Sequence, residues 1–185
     1  MRIVGGKFSG RTLATPAGGD TRPTSDRVRE AIFNILAHGD YPLEGARVID
    51  LFAGTGAMGL EAISRGAAYA LFVEDDANAR GALRRNIEAL ALTGCTRTFR
   101  RDATRLGPIP AGMKPYSLAF LDPPYGRGLI EPALQGLLEG GWLEPNAALV
   151  AEVRTGEMFR APAGLEVTAE RTYGDTCLRF LALRP

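Results

Sequence analysis

The stretch Arg47–Gly59, RVIDLFAGTGAMG, joins a short apolar run to a glycine-rich turn. An apolar run that ends in glycines is typical of a buried strand, and residues 59–65 then repeat at helical spacing. Gly54, Gly56 and Gly59 form the GxGxxG pattern of a strand–turn–helix unit that binds a dinucleotide. Glu74 lies about 20 residues beyond the first glycine, where such units place an acidic residue. The stretch therefore predicts an α/β fold with a ligand loop after its first strand.

Strand-like and helix-like segments alternate from residue 46 onward. Apolar runs predict strands at 47–52, 69–73, 96–101, 117–121, 147–153, 165–171 and 177–183. Helical periodicity predicts helices at 59–65, 77–92 and 129–138. The last two strands face each other across Tyr173–Thr176 and should be antiparallel. Repeated strand–helix–strand units produce a parallel sheet, so we predict an α/β, Rossmann-like fold with a mostly parallel seven-stranded sheet and helices on both faces.

Residues 1–45 have a different pattern and are predicted to form an extension of the domain at 46–185. Arg2–Gly6 and Gly10–Ala14 suggest a small β-hairpin, and Thr15–Pro23 is a loop rich in proline and glycine. Residues 24–27, TSDR, provide capping side chains for the start of a helix. The predicted apolar face of this helix consists of Val28, Ala31, Ile32, Ile35 and Leu36.

Length and composition limit the class of protein. A chain of 185 residues, 45% hydrophobic and 23% charged, is long enough for one domain with a sizeable core. Cys95 and Cys177 stand far apart without a metal-ligand spacing, so neither a disulfide framework nor a zinc site is indicated. The N-terminus lacks the apolar core of a signal peptide, and no apolar run is long enough to span a membrane. These features predict a cytoplasmic protein without a metal or a membrane partner.

The glycine pattern by itself suggests a dinucleotide, but Asp50 argues for another ligand. A dinucleotide turn offers backbone N–H groups to a negatively charged pyrophosphate. Asp50 would place a carboxylate at the mouth of that site, where two like charges within about 4–6 Å cost several kcal/mol. S-adenosylmethionine carries an ammonium and a sulfonium and no phosphate, which reverses the sign of this interaction. We therefore predict S-adenosylmethionine as the cofactor.

Four acids follow predicted strands: Asp50, Glu74, Asp102 and Asp122. Open α/β sheets bind their ligands beyond the carboxyl ends of the strands. We expect Glu74 to accept hydrogen bonds from the ribose hydroxyls of the cofactor, and Asp102 to accept one from the adenine 6-amino group.

Two motifs together carry a family resemblance. Asp50–Gly56, DLFAGTG, with Asp122–Tyr125, DPPY, resembles the Rossmann-like methyltransferases that modify exocyclic or amide nitrogens. Through Arg2–Arg11, Thr21–Glu30 and Tyr173–Thr176, the chain resembles nearly end to end the bacterial 16S ribosomal RNA guanine-N2 methyltransferases of the RsmD type. The resemblance implies a class I methyltransferase fold, with 16S ribosomal RNA or the assembling small ribosomal subunit as partner. The implied cofactor-binding residues are Asp50, Phe52, Gly54, Thr55, Gly56, Glu74, Asp75, Asp102, Ala103 and Asp122.

The sequence LDPPYG at 121–126 fits the chemistry of such a reaction. A guanine 2-amino nitrogen is a poor nucleophile because its lone pair is delocalised into the ring. Acceptors on its two hydrogens let the nitrogen pyramidalise as it attacks, and we predict the Asp122 carboxylate and the Pro123 carbonyl as these acceptors. Tyr125 is predicted to stack on the base through its ring, without a need for its hydroxyl. Asp122, Pro123 and Tyr125 are therefore the predicted catalytic residues.

Other functions stay open at this point. An adenine-N6 DNA methyltransferase would use the same motif, although such enzymes carry a separate target-recognition region for which 185 residues leave little room. A protein-glutamine N5 methyltransferase has a similar core, with Asn as the first residue of the motif. A module that binds cofactor and RNA without chemistry would not need an intact DPPY motif, and Asp50 argues against an NAD oxidoreductase.

Basic side chains in the extension predict an RNA surface. Residues 1–30 hold more basic than acidic side chains, while the net charge of the whole chain is only +1. Lys7 and Arg11 in the hairpin and Arg22 before the helix are the predicted RNA-binding residues, because phosphate contacts dominate affinity for nucleic acids. A monomer is the expected state.

Overall fold

The computed structural model describes residues 1–16, 25–39, 41 and 43–184. The helices are α1 Asp26–His38, α2 Ala57–Ser64, α3 Ala77–Ala89 and α4 Ile130–Glu139. The strands are β1 Arg47–Leu51, β2 Tyr69–Val73, β3 Thr96–Phe99, β4 Tyr116–Leu121, β5 Leu143–Arg154, β6 Leu165–Tyr173 and β7 Thr176–Leu183. Short 3-10 turns cover Gly6–Phe8 and Ala103–Arg105.

All seven strands form one sheet in the order β3-β2-β1-β4-β5-β7-β6. The pairs among the first five strands are parallel, and β7 is antiparallel to both β5 and β6. After β1 the chain turns to one side for β2 and β3, and it then crosses to the other side for β4. The crevice at the carboxyl ends of β1 and β4 is thus the topological switch point, where open α/β sheets bind ligands.

The predicted strands are confirmed, with differences at their ends. β2 has the predicted bounds, whereas β5 begins at Leu143 because this residue pairs with Tyr116 before a shift in register. The antiparallel pair across Tyr173–Thr176 is also confirmed, and Gly174 in its turn has a φ of 61°. This left-handed backbone favours glycine.

The sheet separates two apolar cores. One core packs α1, α2 and α3 against one face and includes Ile32, Leu60 and Leu83. The other packs α4 and the Ala103–Arg105 turn against the opposite face and includes Leu134. Side chains alternate between the two faces along each strand, so the sequence prediction of helices on both faces is confirmed.

The buried face of α1 differs from the predicted face. Ser25 caps the helix by accepting a hydrogen bond from the Val28 N–H at 3.2 Å. Val28, Ile32 and Leu36 are buried as predicted, but Arg29 and Phe33 are buried as well, whereas Ala31 and Ile35 are only half-buried. Periodicity could not identify Arg29 as a buried residue, because its burial depends on Glu61, which α2 places beside it.

The predicted N-terminal hairpin is present as two antiparallel arms that share a single bridge, between Arg2 and Thr12. Backbone hydrogen bonds join the two arms, such as that from the Ile3 N–H to the Arg11 carbonyl at 2.9 Å, and other backbone groups of the arms bind side chains of α2. Glu61 accepts hydrogen bonds from the N–H groups of Val4 and Gly5 at 2.7 and 2.8 Å. Ser64 accepts one from Phe8 N–H at 2.9 Å, so the arms are fixed to the domain at 46–185.

We call the contact of residues 1–16 with α2 and α1 the arm junction. A buried ion-pair network completes it. The Glu61 carboxylate lies 2.7 Å from the Arg65 guanidinium and 3.6 Å from that of Arg29. Arg29 also donates to the Arg2 carbonyl and lies 2.7 Å from the Asp26 carboxylate.

Each helix within the described ranges is too short or too polar to cross a lipid bilayer.

Candidate active site

The strand register brings several predicted site residues to one level of the sheet. Leu51 of β1 pairs with Val73 of β2 and with Leu121 of β4, and Leu121 pairs with Ala151 of β5. The residues directly after these four positions are Phe52, Glu74, Asp122 and Glu152. Sequence reasoning identified the first three and missed Glu152, because residue 152 lies inside β5 and does not follow its end.

The glycine loop is shaped by positive backbone angles and by close packing beneath it. Gly54 and Gly56 have φ values of 56° and 81°. A β-carbon at Gly56 would lie 2.3 Å from Leu83, whereas one at Gly54 would meet only a backbone oxygen at 3.9 Å. The Gly54 N–H donates to the Glu74 carboxylate at 2.7 Å. The loop is therefore closed toward the core at Gly56 and open on the other side at Gly54.

Phe52 has a φ of 59°, which is unusual for a residue with a bulky side chain. Such strain costs about 1–3 kcal/mol and is concentrated at functional sites. The half-buried ring packs against the core on the α4 side of the sheet. The chain thus leaves β1 in a conformation that starts the glycine loop.

Asp50 lies beneath the glycine loop rather than at its mouth. Its side chain is 2% exposed, and it accepts a hydrogen bond from the Gly59 N–H in the first turn of α2 at 2.9 Å. Burial raises the pKa of Asp50 well above its ordinary value, and the nearby Asp122 and Glu74 carboxylates raise it further. The Gly59 hydrogen bond opposes this shift.

This arrangement fits a cationic ligand better than a pyrophosphate. A helix N-terminus attracts anions, but here the Asp50 carboxyl already lies at the N-terminus of α2. Glu74 and Asp122 add negative charge on the same side of the sheet. An ammonium and a sulfonium would be attracted to this site, and phosphate groups would be repelled. The acids and the open side of the glycine loop therefore fit S-adenosylmethionine.

The remaining predicted cofactor residues lie along the same edge. Asp102 is exposed and caps the Ala103–Arg105 turn, where its carboxylate accepts hydrogen bonds from the Thr104 hydroxyl and N–H at 2.7 and 2.8 Å. These hydrogen bonds lower the pKa of Asp102. Ala103 is buried, and Asp75 is exposed next to Glu74.

Asn86 of α3 connects the glycine loop to the N-terminal arms and was not expected from the sequence. Its amide donates to the Thr55 carbonyl at 3.0 Å and to the Ala14 carbonyl at 3.1 Å, and its oxygen accepts from the Ala14 N–H at 2.7 Å. Thr55 itself is 9% exposed. A buried amide that joins two distant backbone segments leaves no periodic signal in a sequence.

A small cleft of about 10 Å³, room for about one water molecule, opens beside the DPPY motif. Asp122 is half-buried and lines it, and Pro123 is buried beneath. The lining residues are Ile32, Met58, Phe120, Leu121, Asp122, Val150 and Glu152. Since Ile32 belongs to α1, the N-terminal extension forms part of the wall.

The Tyr125 hydroxyl has hydrogen-bond partners, which the sequence prediction had treated as unnecessary. It donates to Glu152 Oε1 at 2.5 Å and lies 3.0 Å from Thr176 Oγ1. Burial, followed by the hydrogen bond to Glu152, raises the pKa of Tyr125. Thr176 ends the Tyr173–Thr176 segment that carried part of the resemblance, so that segment could have directed attention to this contact.

The predicted RNA-binding residues can be placed only in part. Lys7 and Arg11 are exposed on the N-terminal arms, and Lys7 Nζ lies 5.4 Å from the centre of the Phe8 ring. Phe8 packs against the core on the α1 side of the sheet. Arg22 lies outside the described residues. Among the residues that the structure describes, no group of three or more His, Cys, Asp or Glu side chains is arranged to hold a metal ion.

Known proteins are similar to this chain in sequence and in fold. The model of the family described as conserved hypothetical protein 95 matches residues 1–182. Ribosomal RNA small subunit methyltransferase D of Escherichia coli (strain K12) is 36% identical over 182 residues, which are 97% of this chain and 88% of that protein. The solved structure of the Escherichia coli protein yhhF has 35% identity and a TM-score of 0.84, and the match covers 99% of this chain and 97% of that chain.

A more distant structure shows how widely the fold is shared. An RNA methyltransferase from Salinibacter ruber, solved in complex with S-adenosyl-L-homocysteine, matches with a TM-score of 0.63 at 15% identity, over 87% of this chain and 93% of that chain. The predicted Rossmann-like class I methyltransferase fold is thus confirmed.

Proposed function

This chain belongs to the family described as conserved hypothetical protein 95, and from that premise we propose that it methylates the exocyclic 2-amino group of a guanine in small-subunit ribosomal RNA. The coarser activity, methyl transfer from S-adenosylmethionine to ribosomal RNA, agrees with the name of the Escherichia coli relative. The choice of guanine N2 rests on the resemblance to the guanine-N2 methyltransferases that Arg2–Arg11, Thr21–Glu30 and Tyr173–Thr176 carry.

The observation that carries the proposal is the position of Asp122 and Pro123 at the topological switch point. Asp122 lines the cleft, and the glycine loop begins at the end of the neighbouring strand β1. A planar base that docks at the mouth of the cleft would meet apolar side chains and an acidic acceptor. This combination suits an amino group that must be held by its hydrogens while its lone pair reacts.

The cofactor would be held at the glycine loop. Gly54 provides the open backbone, Glu74 provides acceptors for the ribose, and the Asp50 carboxyl lies beneath the loop. When bound, S-adenosylmethionine supplies an electrophilic methyl carbon on a sulfonium, and the electrons of the broken C–S bond stay on sulfur.

The chain's own groups act on the amino nitrogen. The Asp122 carboxylate and the Pro123 carbonyl accept hydrogen bonds from the two N–H groups of this nitrogen. Its lone pair is then less delocalised into the ring and forms the new N–C bond. The nitrogen then carries a surplus proton and one positive charge. The Asp122 carboxylate can take that proton and release it to solvent, which leaves a neutral secondary amine. Such preorganised contacts each contribute roughly 10²–10³ in rate.

Methylation in a structured RNA requires the target base to leave its stack. The exposed Lys7 and Arg11 on the N-terminal arms are the proposed contacts to phosphates, and Arg22 is proposed with them from the sequence. The arm junction holds the first two in a fixed place relative to α2.

Mass mapping of the product tests this function. The purified protein is incubated with methyl-labelled S-adenosylmethionine and small ribosomal subunits from a strain that lacks the corresponding gene, and the RNA is digested to nucleosides. We expect one new N2-methylguanosine. N6-methyladenosine would instead support the adenine alternative, and cofactor binding without any methylated nucleoside would support a binding module.

A further inference from the structure

A second group of basic side chains lies at the edge of the sheet that β3 forms. Residues 96–106, TRTFRRDATRL, contain four arginines and one acid, Asp102, so their net charge is +3, whereas the whole chain has only +1. All four basic side chains are exposed, and we call them the β3 arginines: Arg97, Arg100, Arg101 and Arg105. The remaining residues of the chain then sum to −2. Positive charge is thus concentrated at this edge of the sheet.

The β3 arginines are positioned by the protein without being neutralised by it. The guanidinium groups of Arg97 and Arg101 lie 5.0 and 5.5 Å from the centre of the Phe99 ring, and Arg101 donates to the Leu106 carbonyl at 2.6 Å. Among the acids that the structure describes, none forms an ion pair with any of the β3 arginines. An arginine that stacks on an aromatic ring keeps a fork of N–H donors for a phosphate.

The β3 arginines lie next to the proposed cofactor site. The Glu74 N–H donates to the Phe99 carbonyl at 3.1 Å, so Arg100 directly follows a residue that contacts the proposed ribose acceptor. β2 and β1 separate β3 from β4 in the sheet. Three strand spacings of about 4.8 Å place the carboxyl end of β3 roughly 14 Å from that of β4, where Asp122 begins the DPPY motif. An RNA whose target base is held at Asp122 can therefore reach this surface with its flanking phosphates.

The distribution of the charges indicates a chain of phosphates as the partner. Side chains alternate along a strand, so Arg97 and Arg101 lie on the face of Phe99, and Arg100 projects to the other face. Such spread charges suit several phosphates of a polynucleotide better than one small anion. We propose that the β3 arginines are a second surface that binds phosphates of the ribosomal RNA substrate. This inference rests on the proposed function.

This surface is separate from the N-terminal arms. The arms are fixed to α2, which packs on one face of the sheet, whereas Phe99 packs against the core on the opposite face. An RNA bound to both surfaces would be held at two separate points. Loss of either surface should then weaken binding, and the two losses should add in the free energy of binding because the surfaces share no contacts.

A salt titration of RNA binding tests the assignment. The probe is small-subunit ribosomal RNA freed of protein, and the variant is Arg97→Glu combined with Arg100→Glu, which leaves the Arg101 hydrogen bond intact. Two lost phosphate contacts should lower the slope of log affinity against log salt by about 1.4. Affinity at 0.1 M salt should fall roughly 10- to 100-fold, while affinity for S-adenosylmethionine stays at the parent value.

Two further variants exclude trivial causes. Arg84→Glu with Arg85→Glu makes the same change in net charge on α3, where both side chains are exposed, and should leave the slope near the parent value. Arg100→Gln removes one charge from a side chain that has no hydrogen bond or ion pair to a described residue, so a folding defect is not expected. Its slope should still fall by about 0.7.

The outcomes separate this inference from the function on which it rests. An unchanged slope in the β3 variants, or an equal loss in the α3 variant, overturns the phosphate surface, and the function stands if mass mapping still finds N2-methylguanosine. Normal binding of protein-free RNA with slower methylation of intact subunits would assign the β3 arginines to a ribosomal protein instead. If mass mapping finds only N6-methyladenosine, the proposed function fails, whereas a lower slope still supports an RNA surface at β3.

Discussion

Buried acids occur in two regions of this molecule, and their surroundings differ. At the arm junction, Glu61 is fully buried, accepts two backbone hydrogen bonds and forms ion pairs with Arg29 and Arg65. At the carboxyl ends of β1, β2 and β4, burial raises the pKa of Asp50, and the nearby Asp122 and Glu74 carboxylates raise it further. One acid is neutralised by donors of the protein, whereas the other is surrounded by further acids.

The difference indicates what each region does. A buried charge with a full set of donors joins elements together, as Glu61 joins the arms, α1 and α2. A group of acids on one edge of a sheet costs free energy in the absence of a cation. A ligand that carries positive charge and hydrogen-bond donors removes that cost. The first region therefore stabilises the fold, and the second is the proposed binding site for the cofactor and the base.

Loss of Glu61 should have the largest effect on stability. Glu61→Ala leaves Arg29 buried without this carboxylate and removes the acceptor for the Val4 and Gly5 N–H groups, so we expect the free energy of unfolding to fall by about 3–5 kcal/mol. Urea denaturation measures this change. The control is Glu170→Ala, which removes the ion pair of an exposed acid with Arg179 and should cost less than about 1 kcal/mol. Equal losses of unfolding free energy in the two variants would show that the arm junction contributes no more to stability than a surface ion pair.

Loss of Asp122 should have the largest effect on chemistry and a small effect on the fold. Asp122→Ala removes one acceptor from the amino group, so we expect methyl transfer to fall by roughly 10²–10³. Affinity for S-adenosylmethionine, measured by calorimetry, should change much less. Normal turnover in this variant would contradict the proposed mechanism and leave Asp122 as a residue that only ends β4.

Charge reversal on the arms should weaken RNA binding without disturbing the cofactor site. Each phosphate contact to single-stranded RNA contributes about 0.7 to the slope of log affinity against log salt. Lys7→Glu combined with Arg11→Glu should therefore lower that slope by roughly one to two units, while cofactor affinity stays at the parent value. Arg84→Glu with Arg85→Glu reverses two exposed charges on α3 and is the comparison. If both double variants bind alike, the arms serve only the fold.

The smallest expected effect is a pH dependence at Asp50. Because its pKa is raised in the folded protein, its contribution to stability is fully present below the ordinary value of 3.8 and is lost as the pH rises through the folded pKa. In Asp50→Asn the side chain at position 50 does not titrate, and its amide oxygen can still accept the hydrogen bond from the Gly59 N–H. We expect the stability of this variant relative to the parent protein to increase with pH across that window in urea titrations. A stability difference that does not change with pH would mean that burial and the neighbouring carboxylates do not raise the pKa of Asp50.

The sequence predicted the sheet and the acids at the carboxyl ends of its strands well, since those features are local. Each apolar run and each glycine turn forms from residues that are adjacent in the chain, as at Arg47–Gly59. The order of the elements then allowed few topologies, because right-handed parallel crossovers are strongly preferred. The positions of Glu74 and Asp122 beyond β2 and β4 followed from these runs.

Contacts between distant segments were decided only by the tertiary structure. Arg29 is buried because Glu61 lies opposite it, and Glu152 receives the Tyr125 hydroxyl because β5 lies beside β4. A polar side chain can be buried only where partners satisfy it, and those partners are 32 and 27 residues away in these two cases. Local patterns along the chain determined where the strands and the glycine loop are. The satisfaction of buried polar groups depends on long-range packing, and it determined how the arms attach and which acids line the cleft.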